Sequence, residues 1–516
     1  MTRKLLFLFA IFFISISFGQ EKIDTNTIEK IKKEGLTNSH VEKIAFELID
    51  KAGSRLTNSQ GYKRAADYAV NQLTKWGLKN SKTDVWGEFG KGWEIEKNYV
   101  AMTKPYYMSF VAVPKAWSDG TNGPISGKVM IVDINSEEDF AKYEGKLKGA
   151  IVLVKSTGSQ DPTFSADALR FTEEELAKME KPTPPRAPRA NNTNADADAD
   201  ARRAAFMKRR ELTQKISTFL IEQGVALNIV GKNGRHGTLF TSGGRGYLKD
   251  APKSISELEM VPEHANLMAR LIENGVEVEI EAEVKTSFNS DSLNGYNVIA
   301  EIPGTDKNLK AEVVMLGAHL DSWHGATGAT DNAAGSIVMM EAVRILKAVG
   351  VSPRRTIRIA LWDGEEQGLN GSRNYVKNNF GDPETKVFTK ENEKVAGYFN
   401  IDNGTGRIRG IYTQGNKDVV PIFKSWFTSF SDIIDNTTVT TNNTGGTDHQ
   451  AFDAVGIPGF QFIQDPIEYR SRTHHTNADT YERLVIDDLK QMAVIVASFV
   501  YNTAQRDAKL PRKSME

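Results

Sequence analysis

Apolar runs in the second half of this 516-residue sequence repeatedly end in residues that can bind metals or move protons. These residues are His319 and Asp321 after EVVMLGA, Glu365 and Glu366 after TIRIALW, Asp402 after VAGYFNI, and His474 and His475 after GFQFI, with Asp331 opening a helical pattern. Two histidines and three carboxylates, one of them shared, suit a pair of divalent cations about 3.5 Å apart. Zinc fits imidazole and carboxylate ligands best, while cobalt and manganese stay open.

The spacing of these residues suggests separate roles for them. Asp321 lies two positions after His319, and such residues share one side of an extended segment, so Asp321 could orient the imidazole. Of the adjacent Glu365 and Glu366, one can bind metal while the other moves a proton. Read alone, each residue also fits ordinary structure, as part of a polar loop, a solvated acidic pair or a turn. Four strand ends that all carry such residues favour a catalytic site.

The composition excludes several classes of function. Cysteine is absent, which rules out thiolate metal sites, disulfides and cysteine nucleophiles. The 65 Lys and Arg residues nearly balance the 66 Asp and Glu residues, so there is no charge pattern typical of binding to nucleic acid or an anionic membrane. A small-molecule or peptide substrate remains open.

The first 19 residues are predicted to be a signal peptide. A short basic segment, Thr2 to Lys4, precedes an apolar run from Leu5 to Phe18 that is too short to cross a bilayer comfortably, and Gly19 follows. An uncleaved anchor helix is the alternative. We therefore expect a secreted or periplasmic protein that has no membrane contact after residues 1–19 are removed.

The candidate residues must be positioned by a doubly wound α/β sheet. From Asn297 onward, apolar runs alternate with helical patterns such as AGSIVMMEAVRILKAV. This alternation predicts a mostly parallel sheet with helices on both faces. Ligands bind outside the carboxyl ends of the strands in such sheets, which is where the candidate residues lie.

The rest of the chain is predicted to form an extension of this domain and an insertion into it. Residues 20–110, with an amphipathic helix over GYKRAADYAVNQLTKWG, belong with residues 285–516 to the main domain. Residues 111–284 have the pattern of an inserted, mainly β module. Within it, residues 172–205 are Pro-rich and low in complexity, which predicts a disordered or solvated excursion.

Five segments of the sequence resemble the co-catalytic di-zinc exopeptidases, a family of secreted aminopeptidases and carboxypeptidase Q-type enzymes. The resemblance extends from about Phe46 to the C-terminal helix, and it implies the zinc-exopeptidase fold. The inserted module resembles a protease-associated domain, with LKGAIVLV as its core. The five segments are GAHLDSWHGATGATDNAAG, LWDGEEQGLNGSRNYV, FNIDNGTG, GGTDHQAF and HHTNADT.

The resemblance implies a site for two Zn²⁺ ions per subunit. One carboxylate would bridge the two ions, and an imidazole with a further carboxylate would complete each. The implied ligands are Asp331 as the bridge, His319 and Asp402 for one zinc, and Glu366 and His475 for the other.

The remaining roles also come from the resemblance. His475 is chosen over His474 because the family pattern places the ligand four residues before the Asp of an Asp-Thr pair, here Asp479. Glu365 would be the general base, taking a proton from a water between the metals and giving it to the leaving amine. Asp321 would orient the histidine ligand that precedes it.

Two further expectations concern the backbone and the oxyanion. The resemblance implies a cis peptide bond between Asp331 and Asn332. Some aminopeptidases of the family carry a Tyr shortly before the Asp of the GGTDHQ-like segment, whereas residues 443–447 contain none. Oxyanion stabilisation would then depend on the metals or on another donor.

The predicted function is a secreted zinc exopeptidase that hydrolyses dipeptides or terminal residues of short peptides, as an aminopeptidase or in the manner of carboxypeptidase Q. A di-zinc deacylase or cyclase acting on N-acyl or N-terminal amino acids is one alternative. A non-catalytic binding ectodomain is another, although such a protein should have lost ligands that are all present here. Short peptides are the expected partners, nucleic acids are not, and a homodimer stays open.

Overall fold

The computed structural model describes residues 21–156, 158, 160–182 and 193–514 of the chain. Its strands are β1 Lys79–Glu88, β2 Gly92–Lys104, β3 Met108–Ser109, β4 Ala112–Pro114, β5 Ile125–Ile131, β6 Ile151–Val154, β7 Leu227–Gly231, β8 Glu257–Met260, β9 Glu279–Asn289, β10 Asn294–Ile302, β11 Val313–His319, β12 Thr356–Trp362, β13 Gly381–Asp382, β14 Val387–Phe388, β15 Val395–Asn400, β16 Ile408–Tyr412, β17 Thr438–Thr440 and β18 Gly459–Gln464. Its helices are α1 Thr25–Thr37, α2 Val41–Ala45, α3 Gln60–Lys75, α4 Glu173–Glu180, α5 Thr193–Glu222, α6 Pro262–Glu273, α7 Ala334–Val349, α8 Asn370–Asn379, α9 Lys390–Lys394, α10 Val420–Phe427, α11 His449–Asp453 and α12 Ile486–Gln505.

The first sheet carries the candidate residues. Its strand order is β1-β10-β12-β11-β15-β18-β16-β17. The central strands β12, β11, β15 and β18 are parallel, whereas β10 and β16 run antiparallel to their central neighbours. His319 at the end of β11 pairs with Trp362 at the end of β12, so the carboxyl ends of these strands meet at one edge. The predicted mostly parallel α/β sheet is confirmed.

Helices cover both faces of the first sheet, as predicted. α1, α3, α7 and α12 share one apolar core on one face. α8 and α11 pack on the other face around Trp362 and Phe452. The predicted helix AGSIVMMEAVRILKAV is α7 in full, and it ends at Gly350, whose φ of +73° is a left-handed conformation that glycine adopts readily.

A second sheet is built from the middle of the chain. Its strand order is β3-β2-β9-β5-β6-β7-β8-β4. It has its own apolar core, in which side chains such as Leu153 and Ile280 are fully buried. Its strands come from residues 92–289, a wider range than the inserted module at 111–284 that the sequence predicts. The division of the chain into domains stays a prediction.

The predicted disordered or solvated excursion at residues 172–205 contains regular structure, in α4 and in the first part of α5. Thr172 caps α4: its hydroxyl accepts the Glu175 N–H, and the Glu175 carboxylate accepts the Thr172 N–H. Leu176 is buried, and α4 packs against β17 of the first sheet. A cap and one apolar anchor therefore order a segment whose overall composition is polar.

Part of the sequence lies outside the described residues. The predicted signal peptide falls there, and so do residues 183–192 of the predicted excursion. In the described part of the chain, no helix combines the length and the apolar character needed to cross a bilayer.

Candidate metal centre

The fold brings the candidate residues to one edge of the first sheet. Three strand ends contribute, together with two short turns, Ala329–Ala333 before α7 and Tyr469–Thr473 after β18. The residues placed at this edge are His319 at the end of β11, Asp331 in the first turn, Glu365 and Glu366 after β12, Asp402 after β15, and His474 and His475 after the second turn. Chain topology therefore collects residues that are up to 156 positions apart in the sequence, from His319 to His475.

Asp331 lies between two histidines. His319 Nε2 is 3.4 Å from Asp331 Oδ1, and His475 Nε2 is 3.3 Å from Asp331 Oδ2. His319 Nε2 is also 3.5 Å from Asp402 Oδ1, and His475 Nε2 is 2.9 Å from Glu366 Oε2. Each oxygen of Asp331 thus faces a different imidazole, and each imidazole has a second carboxylate beside it.

The donor atoms form overlapping groups that are compact enough to hold a cation. The groups whose ligand atoms lie within 4.8 Å of one another are His319 with Asp331 and Glu366, His319 with Glu365 and Asp402, and Asp331 with His474 and His475. Glu365 and His474 are therefore also within reach of a metal, in addition to the ligands that the sequence implies.

Two buried carboxylate oxygens of this cluster have no hydrogen-bond partner among the described residues. They are Asp331 Oδ2 and Glu366 Oε1. A buried carboxylate oxygen without a donor is costly unless a proton or a cation compensates it. Imidazole nitrogen and carboxylate oxygen are both ligands that zinc accepts. The residues present therefore fit a divalent metal.

Asp321 connects His319 to the turn that carries Glu365 and Glu366. Its backbone carbonyl accepts the His319 Nδ1 proton at 3.0 Å, closer than its carboxylate oxygen at 3.5 Å. The carboxylate accepts the backbone N–H groups of Glu365 and Glu366, each at 3.2 Å. With Nδ1 protonated, the Nε2 lone pair of His319 faces the cluster. The orienting contact is thus made mainly by the backbone of Asp321, while its side chain holds the next strand end.

The turn before α7 is tied to its neighbours by Asn332. The Asp331–Asn332 peptide bond is cis, as the resemblance implies. The Asn332 amide donates to the Ile401 carbonyl at 2.9 Å and accepts the Gly335 N–H at 2.9 Å. One side chain therefore links the start of α7 to the residue before Asp402.

Two residues that support the site have no role in the sequence analysis. Asp479 accepts the backbone N–H groups of Thr330 and Asp331 at 2.7 and 3.0 Å. Arg55 is fully buried and donates to the carbonyls of residues 48, 53, 320, 327 and 328. Asp479 is part of the Asp-Thr pair that was used to choose His475, and Arg55 lies within the resemblance that begins at about Phe46. The family resemblance therefore includes both residues, although no role was assigned to either.

Burial sets the direction of the pKa shift for three carboxyl groups in and beside the cluster. It raises the pKa of Glu365 and of Glu366 well above the ordinary value of a carboxyl group. Burial, together with the nearby Asp331, raises the pKa of Asp479 to about 7. Several carboxyl groups that share a site away from water oppose one another's ionisation. A divalent cation favours the ionised forms, so its binding would relieve this conflict.

A cavity of about 680 Å³ opens onto the cluster. All the candidate ligands except His319 line it, and so do two cationic side chains, Arg373 and Arg470. Tyr469 is buried in its wall with its hydroxyl 3.5 Å from Asp402 Oδ1. Residues 443–447 contain no tyrosine, but Tyr469 places a tyrosine hydroxyl beside the predicted ligand Asp402.

Comparisons with known proteins agree with this geometry. The family model described as peptidase family M28 matches residues 297–500. Carboxypeptidase Q of Mus musculus is 24% identical over 99% of this chain and 100% of its own length. Other carboxypeptidases Q match over about half of their length, for example 53% for the human protein.

Solved structures of similar fold include one that is described as a peptidase M28 precursor and one that is described as a zinc aminopeptidase. A peptidase M28 precursor from Shewanella amazonensis has a TM-score of 0.65 and 22% identity, over 95% of this chain and 99% of its own. The zinc aminopeptidase BSAP from Bacillus subtilis has a TM-score of 0.54 and 19% identity, over 92% of this chain and 97% of its own. At these identities the structures support the fold, while the family match covers every strand end that forms the site. Residues 297–500 therefore form a peptidase family M28 domain, and this chain is a metallo-exopeptidase, which is a hydrolase.

Proposed function

We propose that this chain is a secreted di-zinc exopeptidase that hydrolyses dipeptides or removes terminal residues from short peptides. The observation that carries the proposal is the position of Asp331, whose two oxygens face His319 and His475 separately. A carboxylate that is shared in this way suits two metal ions close together. A single structural zinc would need no such shared ligand.

The proposed ligands divide into two sets around Asp331. His319 and Asp402 would hold one zinc, and Glu366 and His475 would hold the other. The short separations within each set and the two unpaired carboxylate oxygens support this division. Bound there, zinc would supply Lewis-acid activation of a water molecule and of the scissile carbonyl.

Glu365 is proposed as the general base. Its backbone is held by Asp321, its side chain is largely buried, and it lines the cavity beside the proposed ligands. A carboxylate in this position can take a proton from the attacking water and pass it to the leaving amine. A buried side chain loses little freedom when it does so, because its surroundings already hold it.

The cavity supports a small substrate with a free carboxylate. Its volume of about 680 Å³ matches sites for small molecules rather than for folded proteins. Arg373 and Arg470 place positive charge in its lining, whereas the metal cluster is rich in carboxylates. A peptide with a free C-terminus is complementary to these arginines.

A hydrolysis panel with the purified chain tests this function. Zinc chelation should abolish cleavage of free dipeptides, and added zinc should restore it. Aminoacyl amides and N-blocked dipeptides should separate amino-terminal from carboxy-terminal recognition. Full activity of a metal-free preparation would contradict the metal mechanism, and cleavage of N-acyl amino acids alone would favour the deacylase alternative. Zinc binding without turnover on any member of the panel would favour a binding ectodomain.

Secretion is the remaining part of the proposal. It rests on residues 1–19, whose basic start and short apolar run are typical of a signal peptide. N-terminal sequencing of protein recovered outside the cytoplasm should begin at Gln20. Recovery of an intact Met1 would contradict cleavage.

A further inference from the structure

The loop that carries His475 has little regular structure of its own. It runs over residues 466–477, between β18 and α12, and its only regular element among the described residues is the turn Tyr469–Thr473. His475 itself has φ +60°, a left-handed conformation that residues other than glycine rarely adopt. Contacts from elsewhere in the chain must therefore hold this residue in place.

The first of these contacts comes from the second-sheet segment at residues 237–241, between β7 and β8. The backbone N–H and the hydroxyl of Thr241 both donate to the His475 carbonyl, at 2.8 and 2.9 Å. Thr241 is fully buried, and the Phe240 ring lies 5.0 Å from the His475 ring. Two hydrogen-bond donors and one aromatic side chain thus contact the proposed ligand His475.

The same segment also holds the residue two positions after His475. The Leu239 N–H donates to Asn477 Oδ1 at 2.8 Å, and the Asn477 amide donates to the Gly237 carbonyl at 3.1 Å. These bonds are reciprocal, so Asn477 closes a ring between the two segments. The carbonyl of His475 and the side chain of Asn477 are therefore both hydrogen-bonded to residues 237–241.

A second segment, residues 167–171, supports the start of the histidine-bearing loop. Leu169 and Ile467 exchange backbone hydrogen bonds at 3.0 and 2.8 Å. Asp167 accepts Arg472 Nη2 at 2.6 Å through its carboxylate and the Ser471 hydroxyl at 2.8 Å through its carbonyl. Both segments belong to the part of the chain between β6 and β8, more than 200 positions before the loop they hold.

We propose that two loops between strands of the second sheet, residues 167–171 and 237–241, position the metal centre, and that Thr241 is the positioning residue for His475. This inference rests on the proposed function, in which His475 binds zinc. Outer contacts that orient a ligand typically change metal affinity by about 10- to 100-fold when they are removed. These two loops would then act on the zinc site without supplying a ligand.

Zinc titration of the chelator-stripped full chain tests the inference. Thr241→Val removes the hydroxyl donor with little change in volume, and Phe240→Ala removes the ring from a side chain that is 39% exposed. Thr503→Val is the matched control, because Thr503 is as buried as Thr241 and its hydroxyl donates within α12, to the Phe499 carbonyl at 2.8 Å. Zinc affinity is read by competition with a chromophoric chelator, and total zinc is counted at saturation.

We expect Thr241→Val and Phe240→Ala each to weaken one of the zinc sites by about 10-fold. Thr503→Val should bind zinc as the wild type does, and Thr241→Ser should restore affinity because it keeps the donor. At saturating zinc, kcat of Thr241→Val should recover toward the wild-type value, which a general loss of structure would not allow. Wild-type zinc affinity in both Thr241→Val and Phe240→Ala would overturn the inference. If Thr241→Val does not fold, Phe240→Ala decides the outcome by itself.

His475→Ala separates failure of this inference from failure of the proposed function. If His475→Ala loses zinc while Thr241→Val and Phe240→Ala do not, the ligand assignment holds and the positioning role is wrong. If His475→Ala retains both zinc ions at full affinity, the assignment of His475 is itself wrong, and the inference falls with it.

Discussion

Replacing Glu365 by Gln tests the division of labour between two adjacent carboxylates. Glu365 and Glu366 share one turn, and the N–H group of each donates to Asp321 at 3.2 Å. Both side chains are also close enough to the histidines to reach a metal. Their positions alone therefore do not show which of the two is the general base and which is the metal ligand. Replacing each carboxylate in turn by an amide separates the two roles, because loss of a base lowers turnover and loss of a ligand lowers zinc binding.

The expected magnitude follows from what Glu365→Gln leaves unchanged. Glu365 is 9% exposed, and glutamine has nearly the same volume, so packing and the backbone bond to Asp321 should persist. The loss is then that of proton transfer, which contributes about 10²- to 10⁴-fold to rate. At about 1.36 kcal/mol per tenfold, this raises the barrier by roughly 2.7–5.4 kcal/mol. Zinc content should remain at the wild-type value.

Glu366→Gln is the matched control in the same turn. Its carboxylate lies 2.9 Å from His475 Nε2, so the loss of its charge should weaken zinc binding first and turnover as a consequence. The assay pairs zinc stoichiometry with kcat for a free dipeptide at saturating zinc. If Glu365→Gln loses zinc while Glu366→Gln keeps it, the two roles are reversed. If Glu365→Gln keeps more than a tenth of wild-type kcat, Glu365 is not the general base.

Three further predictions follow from contacts described above. Arg55→Lys should lower the free energy of unfolding by about 3 kcal/mol or more, because a lysine cannot replace a buried guanidinium that donates to five carbonyls. Urea titration measures this, and an unchanged unfolding midpoint would refute it. Leu176→Ala should speed proteolysis within α4 relative to the wild type, since truncating a buried leucine lowers stability by about 2–5 kcal/mol. Equal proteolysis rates would mean that α4 does not depend on this side chain. Arg470→Ala should raise KM for free dipeptides at least about 10-fold, because a charge-assisted hydrogen bond to the substrate carboxylate is lost. KM for dipeptide amides should not change. An equal change for both substrates would show that Arg470 does not recognise the carboxylate.

Local sequence patterns were sufficient for the elements that carry the site. The run from Ala334 to Val349 has helical periodicity and a glycine directly after it, and it forms α7 with those bounds. The apolar run that ends at His319 forms β11 in the same way. These features depend on neighbouring residues alone, so periodicity and end signals contain the necessary information. The position of the candidate residues at strand ends could be predicted for the same reason.

The excursion shows where composition misleads. Proline and polar residues dominate residues 172–205, yet Thr172, Glu175 and Leu176 suffice to cap and anchor α4. The average composition of the segment gives no indication of these three residues, because each acts at one specific position. Burial of Leu176 also needs β17 as a partner, and that strand lies more than 260 positions later.

The sequence by itself determined the elements, the strand ends and the kind of chemistry that their residues allow. Only the tertiary structure decided which distant residues hold them in place. Arg55, Asp479 and Thr241 act on the site through hydrogen bonds to backbone atoms of residues 328, 331 and 475, respectively, each more than 140 positions away. Such bonds to backbone leave no pattern in the sequence, because any residue at the accepting position offers the same carbonyl or N–H group. They exist only after the chain path has brought the two segments together.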